Sequence, residues 1–313
     1  MSSTKNNDVS QVEEICYQLD DIKLAALSCG NAAYQPVLCL HGYLDNAASF
    51  LPLMQQLTQE SQLLPNRRFI ALDWPGHGHS EHRSVGAHYH FFDYVSDLVA
   101  LFSLNNWQQI DIVAHSMGAM IASAFAAAFP EKVKSLTLID SFGFICAPIE
   151  QTTNQLRQGV LSRLKPAKLA RKFTEDSAVK ARMYASDLAV ENAKRIVQRS
   201  LITVQLEQNN ILGSDHDRVL YHWRSDQRLR TVSPYRLSQL QGEQLYRDIK
   251  CPVQLIYGDQ GMTMVTAGLK RFADHVDNLT INKLVGGHHV HMEQPKAFLT
   301  LIDHFINKIQ TSV

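Results

Sequence analysis

The chain has 313 residues, of which 45% are hydrophobic and 19% are charged, and its 30 basic and 30 acidic residues give no net charge. This composition is too apolar for a disordered protein. A neutral chain has no overall attraction for nucleic acid or anionic lipid, so we expect neither as a partner. The N-terminus lacks an apolar signal segment, and no apolar run approaches the length of a membrane span. We therefore expect a cytoplasmic protein.

The first half of the chain alternates between strand and helix patterns. Residues 1–12 are polar and are predicted to form a frayed tail, and two strands are predicted over 15–19 and 22–27. Continuous apolar runs typical of buried strands then alternate with helical spacing. The predicted strands are 37–42, 68–76, 111–116 and 135–141, and the predicted helices are 50–57, 92–104 and 117–129.

The alternation stops after residue 141 and resumes near the C-terminus. Residues 142–245 show helical segments and no convincing buried strand. Two further strands are predicted over 253–258 and 279–287, and two further helices over 265–274 and 295–309. Alternating strands and helices imply crossover connections and a mainly parallel sheet. We therefore predict an α/β core formed by 13–141 and 246–313. The helical cap, 142–245, is expected over the carboxyl ends of the strands, where open α/β sheets bind ligands.

Ser116 is the sharpest chemical feature of the sequence. It lies in Ala-His-Ser-Met-Gly, between a buried strand and an Ala-rich helix, and small neighbours allow a tight strand-to-helix turn. Such a turn exposes the hydroxyl at the start of a helix, where the helix dipole favours negative charge. The N–H of Met117 is one of the unpaired donors of the first helical turn, so it can bind an oxyanion.

This segment resembles the nucleophile elbow, G-x-S-x-G, of the α/β-hydrolases, although Ala114 occupies the position of the first glycine. The resemblance implies the α/β-hydrolase fold, a central sheet flanked by helices, with the cap inserted after the strand that ends near Asp140. His41-Gly42-Tyr43 is similar to the HG-x turn of that superfamily, which implies that the N–H of Tyr43 is the second oxyanion donor. The segment from Asp73 to Ser80 resembles D-x-P-G-H-G-x-S and is interpreted as a structural loop held by Asp73.

His288 is the predicted base. The segment from Gly287 to Pro295 resembles G-H-x-x-x-x-E-x-P of the superfamily, and its spacing assigns the role to His288 rather than His289 or His291. A serine hydroxyl needs an adjacent base, and histidine titrates nearest to neutral pH. Three histidines in four positions also suggest a metal site. However, adjacent side chains on a loop rarely converge, and no acidic or cysteine partner is apparent, so we expect neither metal nor cofactor.

The acid that orients His288 has two candidates. The superfamily usually carries it in G-x-x-D after the strand at 253–258, but Gly261 occupies that position here, and Asp259 lies two residues early. Some α/β-hydrolases, including a branch of the haloalkane dehalogenases, place the acid 24 residues after the nucleophile, which is the position of Asp140. We favour Asp140 over Asp259.

Two segments are similar to a narrower branch, the serine hydrolase-like proteins. They are His41–Phe50 and the W-x-x-D-x-R-L pattern that begins at Trp223. The resemblance implies a hydrolase. With Ser116 as nucleophile and His288 as base, we expect it to cleave an ester or related small acyl substrate through an acyl-enzyme on Ser116. Hydrolysis of a thioester or a carbon–carbon bond by the same triad remains an alternative, as does a non-catalytic ligand-binding protein. The sequence does not determine the natural substrate or the oligomeric state.

Overall fold

The computed structural model describes residues 11–60, 62–165, 169–204 and 219–311. Most of the predicted tail, 1–10, therefore lies outside the described residues. The strands are β1 (Glu13–Gln18), β2 (Lys23–Cys29), β3 (Gln35–Leu40), β4 (Arg67–Leu72), β5 (Ile110–His115), β6 (Val133–Ile139), β7 (Leu201–Thr203), β8 (Tyr221–Trp223), β9 (Val253–Gly258) and β10 (Leu279–Leu284). The helices are α1 (Leu51–Gln59), α2 (Asp93–Leu104), α3 (Met117–Ala128), α4 (Thr152–Arg163), α5 (Glu175–Ala185), α6 (Val190–Arg199), α7 (Gln239–Asp248), α8 (Thr263–Phe272), α9 (Val290–Glu293) and α10 (Pro295–Thr311).

Eight of these strands form one sheet in the order β1-β2-β4-β3-β5-β6-β9-β10. From β4 to β10 every neighbouring pair is parallel, whereas β2 pairs antiparallel with both β1 and β4. The predicted α/β-hydrolase fold, with a mainly parallel sheet flanked by helices, is confirmed. Because parallel strands share one carboxyl edge, the loops after β3, β5, β6 and β9 meet there.

The continuous apolar runs of the strands are explained by helices on both faces of the sheet. Successive side chains of a strand point to opposite faces. In β3, Leu38 and Leu40 pack in a cluster with α2, α3 and α7, while Val37 and Cys39 pack in a second cluster with α1 and α10. Both faces are therefore dry, which favours apolar residues at every position.

The segment between β6 and α7 differs from the rest of the chain. We call residues 142–238 the inserted segment; its described part contains α4, α5 and α6. The prediction of helical segments without a buried strand did not include β7 and β8, which form a short antiparallel pair. Each has only three residues and neither is fully buried, so no apolar run marks them. The short helix α9 was also not predicted, since four residues are too few for a helical period.

The predicted boundary after residue 245 falls inside α7. Tyr246 on this helix is buried among Phe142 and Phe272, with ring centroids 5.0 and 5.2 Å away. Its hydroxyl accepts a hydrogen bond from the N–H of Gly143 at 2.7 Å. The helix therefore packs on the sheet's own helical layer, in the same buried cluster as Phe142 and Phe144.

Candidate active site

Ser116 lies at the turn between β5 and α3 in a conformation that few residues adopt. Its φ is 52° and its ψ is −115°, far from the allowed regions for an L-residue. Such strain persists only where surrounding structure enforces it, and it clusters at functional sites. A Cβ at Gly118 would lie 2.5 Å from the carbonyl oxygen of Leu40, so only glycine lets α3 start this close to β3. Ala114, in place of the usual glycine, is buried in β5.

The turn after β3 packs directly on this elbow. A Cβ at Gly42 would lie 3.0 Å from the Cβ of Ser116. Among the described residues, no acceptor binds the backbone N–H of Tyr43 or of Met117. Both donors next to the hydroxyl are therefore available to a ligand. The side chain of Tyr43 points elsewhere, and its hydroxyl donates to the carbonyl of Leu229 in the inserted segment at 3.1 Å.

Asp140 follows β6 and contacts the imidazole of His288. Its Oδ2 lies 2.7 Å from Nδ1 of His288, and its carboxylate also accepts the N–H groups of Gly258 (3.1 Å) and Met262 (3.0 Å). The side chain is fully buried, and the residue has a φ of 42°. Three donors therefore fix this carboxylate. Because a carboxylate accepts, Nδ1 of His288 carries the proton, which leaves the lone pair on Nε2.

Asp259, the other candidate acid, has a different partner. It is exposed, and its Oδ1 accepts the N–H of Gly286 at 3.0 Å, which braces the loop before His288. The glycine at the usual acid position is explained by the same geometry. A Cβ at Gly261 would lie 2.0 Å from Oδ1 of Asp140. The carboxylate from β6 thus needs the space that a side chain at 261 would fill.

The backbone of His288 is held beside the elbow. His115, which precedes Ser116, donates from Nε2 to the carbonyl of His288 at 3.0 Å, and the two rings are 4.6 Å apart. Within the described part of the chain, the Ser116 hydroxyl and the His288 ring do not form a hydrogen bond. Such bonds are often long without a substrate and shorten when one binds.

Asp187, between α5 and α6, is a contact that the sequence did not reveal. Its carboxylate accepts the N–H of His288 and also contacts Nδ1 of His289 at 3.1 Å. The hydrogen bond with His289 is the main reason that the pKa of Asp187 is lowered to about 2. A Cβ at Gly287 would lie 1.9 Å from the Asp187 carboxylate, so glycine is required there. Through Asp187, the inserted segment therefore forms hydrogen bonds with the loop that carries His288.

His289 points the opposite way from His288, into a buried cluster. Its Nε2 lies 3.3 Å from Oδ2 of Asp45, and Nδ1 of His115 lies 3.4 Å from the same oxygen. Arg182 forms an ion pair with the other oxygen of Asp45. Burial opposes a charge on His289, but Asp45 and Asp187 raise its pKa to about 9. No acidic partner for the histidines of this segment is apparent in the sequence, whereas the structure supplies two.

The segments that resemble the serine hydrolase-like proteins join the core to the inserted segment. The side-chain amide of Asn46 donates to the carbonyl of Ile196 on α6 at 2.8 Å. Asp226 accepts from the hydroxyl of Tyr89 at 2.8 Å and pairs with Arg228. The Arg228 guanidinium in turn donates to backbone carbonyls of the loop at 83–87.

Asp73 ties the loop after β4 to its surroundings. It accepts from the N–H groups of Ala47 (2.7 Å) and His79 (2.8 Å) and pairs with Arg199 of the inserted segment. The Asp73 carboxylate is fully buried and has no contact with Ser116 or His288 among the described residues. This arrangement is the structural role expected of the D-x-P-G-H-G-x-S segment.

None of the described helices combines the length and the apolar character needed to cross a bilayer.

Residues 35–295 match the family model of the alpha/beta hydrolase fold. The chain is 29% identical over 295 residues to the serine hydrolase-like protein of Danio rerio, covering 87% of this chain and 81% of that protein. It is 26% identical to a probable serine hydrolase of Drosophila melanogaster, covering 89% of this chain and 83% of that protein.

A solved structure is also similar to this chain in fold and in sequence. A hypothetical protein of Pseudomonas aeruginosa PAO1 superposes with a TM-score of 0.81 at 31% identity, covering 95% of this chain and all of that one. The resemblance to the serine hydrolase-like proteins is thereby confirmed, and these relatives support hydrolase activity. The chain belongs to the α/β-hydrolase fold family.

Proposed function

We propose that this chain hydrolyses a carboxylic ester or a related small acyl substrate through an acyl-enzyme on Ser116. The observation that carries the proposal is the 2.7 Å hydrogen bond between Asp140 and Nδ1 of His288, next to a strained serine. This bond favours the tautomer in which Nε2 can accept a proton. A half-buried serine with such a base is the arrangement of nucleophilic catalysis.

The reaction proceeds in two halves. The Ser116 oxygen attacks the acyl carbon while Nε2 of His288 takes the hydroxyl proton. The tetrahedral intermediate then collapses, and His288 passes that proton to the leaving group. In the second half a water molecule attacks the acyl-enzyme, His288 accepts its proton, and the proton returns to Ser116 as the acid product leaves. Asp140 stabilises the imidazolium formed in each half.

The oxyanion of each intermediate is bound by the N–H groups of Met117 and Tyr43. Both belong to turns that pack on the elbow, and neither has an acceptor among the described residues. Loss of one such donor typically costs about 3–4 kcal/mol of transition-state stabilisation. The inserted segment acts as the cap and selects the substrate, which is supported by its contacts with Tyr43 and with the His288 loop.

A fluorophosphonate probe tests the nucleophile, because it reacts with an activated serine. We expect one adduct, located at Ser116 by peptide mass spectrometry. Ser116→Ala should abolish labelling, whereas Ser103→Ala, at an exposed position of α2, should leave it unchanged. Absence of an adduct in folded wild-type protein, or an adduct at another serine, would exclude this mechanism.

A substrate panel then tests the bond that is cleaved. We expect the highest kcat/KM on p-nitrophenyl esters of short acyl chains. Acyl thioesters and ring-cleavage diketones provide the comparison for thioester and carbon–carbon bond hydrolysis. Turnover of the diketones alone would replace the ester assignment by carbon–carbon bond hydrolysis.

A further inference from the structure

We propose that a divalent transition-metal ion of the zinc type binds in the buried cluster of Asp45, His115 and His289, below the loop that carries His288. This site is separate from the proposed hydrolytic reaction, and its test does not depend on activity. The three side chains come from the loop after β3, the end of β5 and the loop after β10. Each is almost completely buried.

Two of the three spacings among the ligand atoms match those around a tetrahedral ion. Nδ1 of His115, Nε2 of His289 and a carboxylate oxygen of Asp45 all lie within 4.8 Å of one another. The two nitrogen–oxygen distances are 3.4 and 3.3 Å. Zinc bonds of about 2.0–2.1 Å in a tetrahedron separate neighbouring ligand atoms by about 3.3–3.4 Å. An octahedral ion with bonds of about 2.1 Å would need about 3.0 Å, so the spacing favours zinc over magnesium.

The nitrogen of His115 that faces this site has no partner. Its Nε2 donates to the carbonyl of His288, because a carbonyl oxygen only accepts. Because a neutral imidazole carries one proton, a ring that donates from Nε2 has its lone pair at Nδ1. That lone pair has no hydrogen-bond donor among the described residues and lies beside Asp45. Two electron-rich atoms in a dry site are stabilised by a cation between them.

Both histidines are also oriented as metal ligands usually are. A ligating histidine typically donates its second ring N–H to a carboxylate or a backbone carbonyl, which fixes the ring and its tautomer. His289 has Asp187 at Nδ1, and His115 has the carbonyl of His288 at Nε2. The nitrogens that remain, Nε2 of His289 and Nδ1 of His115, are the two that converge on Asp45.

The backbone at Gly42 passes close to the ligand atoms and places no side chain beside them. A Cβ at Gly42 would lie 2.9 Å from Nδ1 of His115 and 3.1 Å from Oδ2 of Asp45. Any other residue at position 42 would therefore fill space next to the ligand atoms. Imidazole and carboxylate together suit zinc and its neighbours in the transition series.

The charged groups that already contact Asp45 and His289 determine what a metal ion displaces when it binds. Asp45 and Asp187 both contact His289, and Arg182 pairs with Asp45. A metal ion needs the lone pair at Nε2 of His289, so any proton held there is released to solvent on binding. Arg182 pairs with the other oxygen of Asp45, so Oδ2 stays available. The bound ion would fix both peptide groups of His288, through Asp187 at its N–H and His115 at its carbonyl.

The test measures metal binding by the full chain. Protein purified from zinc-supplemented cells is assayed for metal content, then stripped with a chelator and titrated with Zn²⁺ and with Co²⁺ as a spectroscopic probe. We expect one equivalent and an absorption spectrum of tetrahedral Co²⁺. His115→Gln and His289→Gln should each weaken binding at least about 100-fold. His275→Gln, a half-buried histidine outside the cluster, is the matched control. Zinc should raise the Tm of wild type and of the control only.

Zinc-edge anomalous diffraction from wild-type crystals covers the case in which a variant does not fold. The peak is expected between Asp45, His115 and His289. A peak elsewhere, no zinc binding by folded wild-type protein, or equal affinity in the two cluster variants and the control would overturn the proposal.

Discussion

Two carboxylate–histidine pairs lie side by side in this molecule, Asp140 with His288 and Asp45 with His289, and they differ in access and in connectivity. The His288 side chain is 19% exposed, whereas that of His289 is 3% exposed. Among the described residues, His288 has a carboxylate at Nδ1 and none at Nε2. His289 has carboxylates at both ring nitrogens, Asp187 at Nδ1 and Asp45 at Nε2.

This difference shows that a hydrogen-bonded pair is not in itself a catalytic pair. A general base needs a free lone pair within reach of the reacting proton. His288 retains one at Nε2, and its carbonyl is bonded to His115, the residue before the half-buried Ser116. With both nitrogens facing carboxylates, His289 is held protonated, which its pKa of about 9 reflects. Adjacent residues of one loop therefore provide a candidate base and a buried cation.

The largest expected effect comes from replacing each histidine in turn, which tests whether His288 and His289 have different roles. His288→Gln should lower kcat by about 10⁵–10⁶-fold, because nothing else can accept the Ser116 proton. His289→Gln should lower kcat by no more than about 10-fold, since its effect on the reaction is indirect. Steady-state kinetics on the ester that wild type cleaves best measures both, with circular dichroism as the check on folding. Equal losses in two folded variants would mean that the roles are not divided in this way.

The next largest effect separates the two candidate acids. Asp140→Asn should lower kcat about 10⁴-fold, because an amide does not favour the tautomer of His288 that leaves Nε2 free. Asp259→Asn keeps an oxygen for the Gly286 N–H and should retain most of the activity. The same kinetic assay decides the matter. A severe loss in Asp259→Asn together with a mild one in Asp140→Asn would reverse the assignment.

The fold could be predicted from the apolar runs that mark the buried strands, whereas the Asp140–His288 pair was predicted from resemblance to α/β-hydrolase motifs. The count back from Glu293 and Pro295 selects His288, and the spacing of 24 residues from Ser116 favours Asp140. The structure gives a reason for that count, because Glu293 accepts the N–H of Gly287 at 2.9 Å and so shapes the turn before the histidine. Gly261 was also a signal, since the absence of a side chain there makes room for Asp140.

Asp45, Asp187 and the strands β7 and β8 could not be found in this way. Asp187 lies 101 positions before the N–H that it accepts, in a segment without strong periodicity. Asp45 reaches His289 across 244 positions. Contacts of this kind depend on how the inserted segment packs against the core loops. No local sequence pattern predicts that packing.

A smaller effect is expected where the space for Asp140 is reduced. Gly261→Ala places a methyl group 2.0 Å from Oδ1 of Asp140, so the carboxylate or the loop must move. A displacement of about 1 Å at such a site typically costs about 100-fold, and we expect that loss in kcat. Gly86→Ala is the matched control, because nothing lies within 4 Å of its Cβ position. If both variants behave like wild type, the Asp140 carboxylate tolerates displacement, and the account of Gly261 given above is wrong.

The smallest effect is expected from weakening the contact of Asp187, in the inserted segment, with the loop that carries His288. Asp187→Asn retains one side-chain oxygen but loses the negative charge that pairs with His289. A single amide oxygen accepts less strongly than a carboxylate from the His288 N–H and from Nδ1 of His289. Partners that orient a functional histidine typically contribute about 10–100-fold, and we expect the lower end here because Asp140 still holds the ring. Glu150→Gln, an exposed carboxylate of the same segment, should not change kcat. The discriminating measurement is the split between kcat and KM. A positioning role lowers kcat with little change in KM, whereas a loosened cap would raise KM and leave kcat intact.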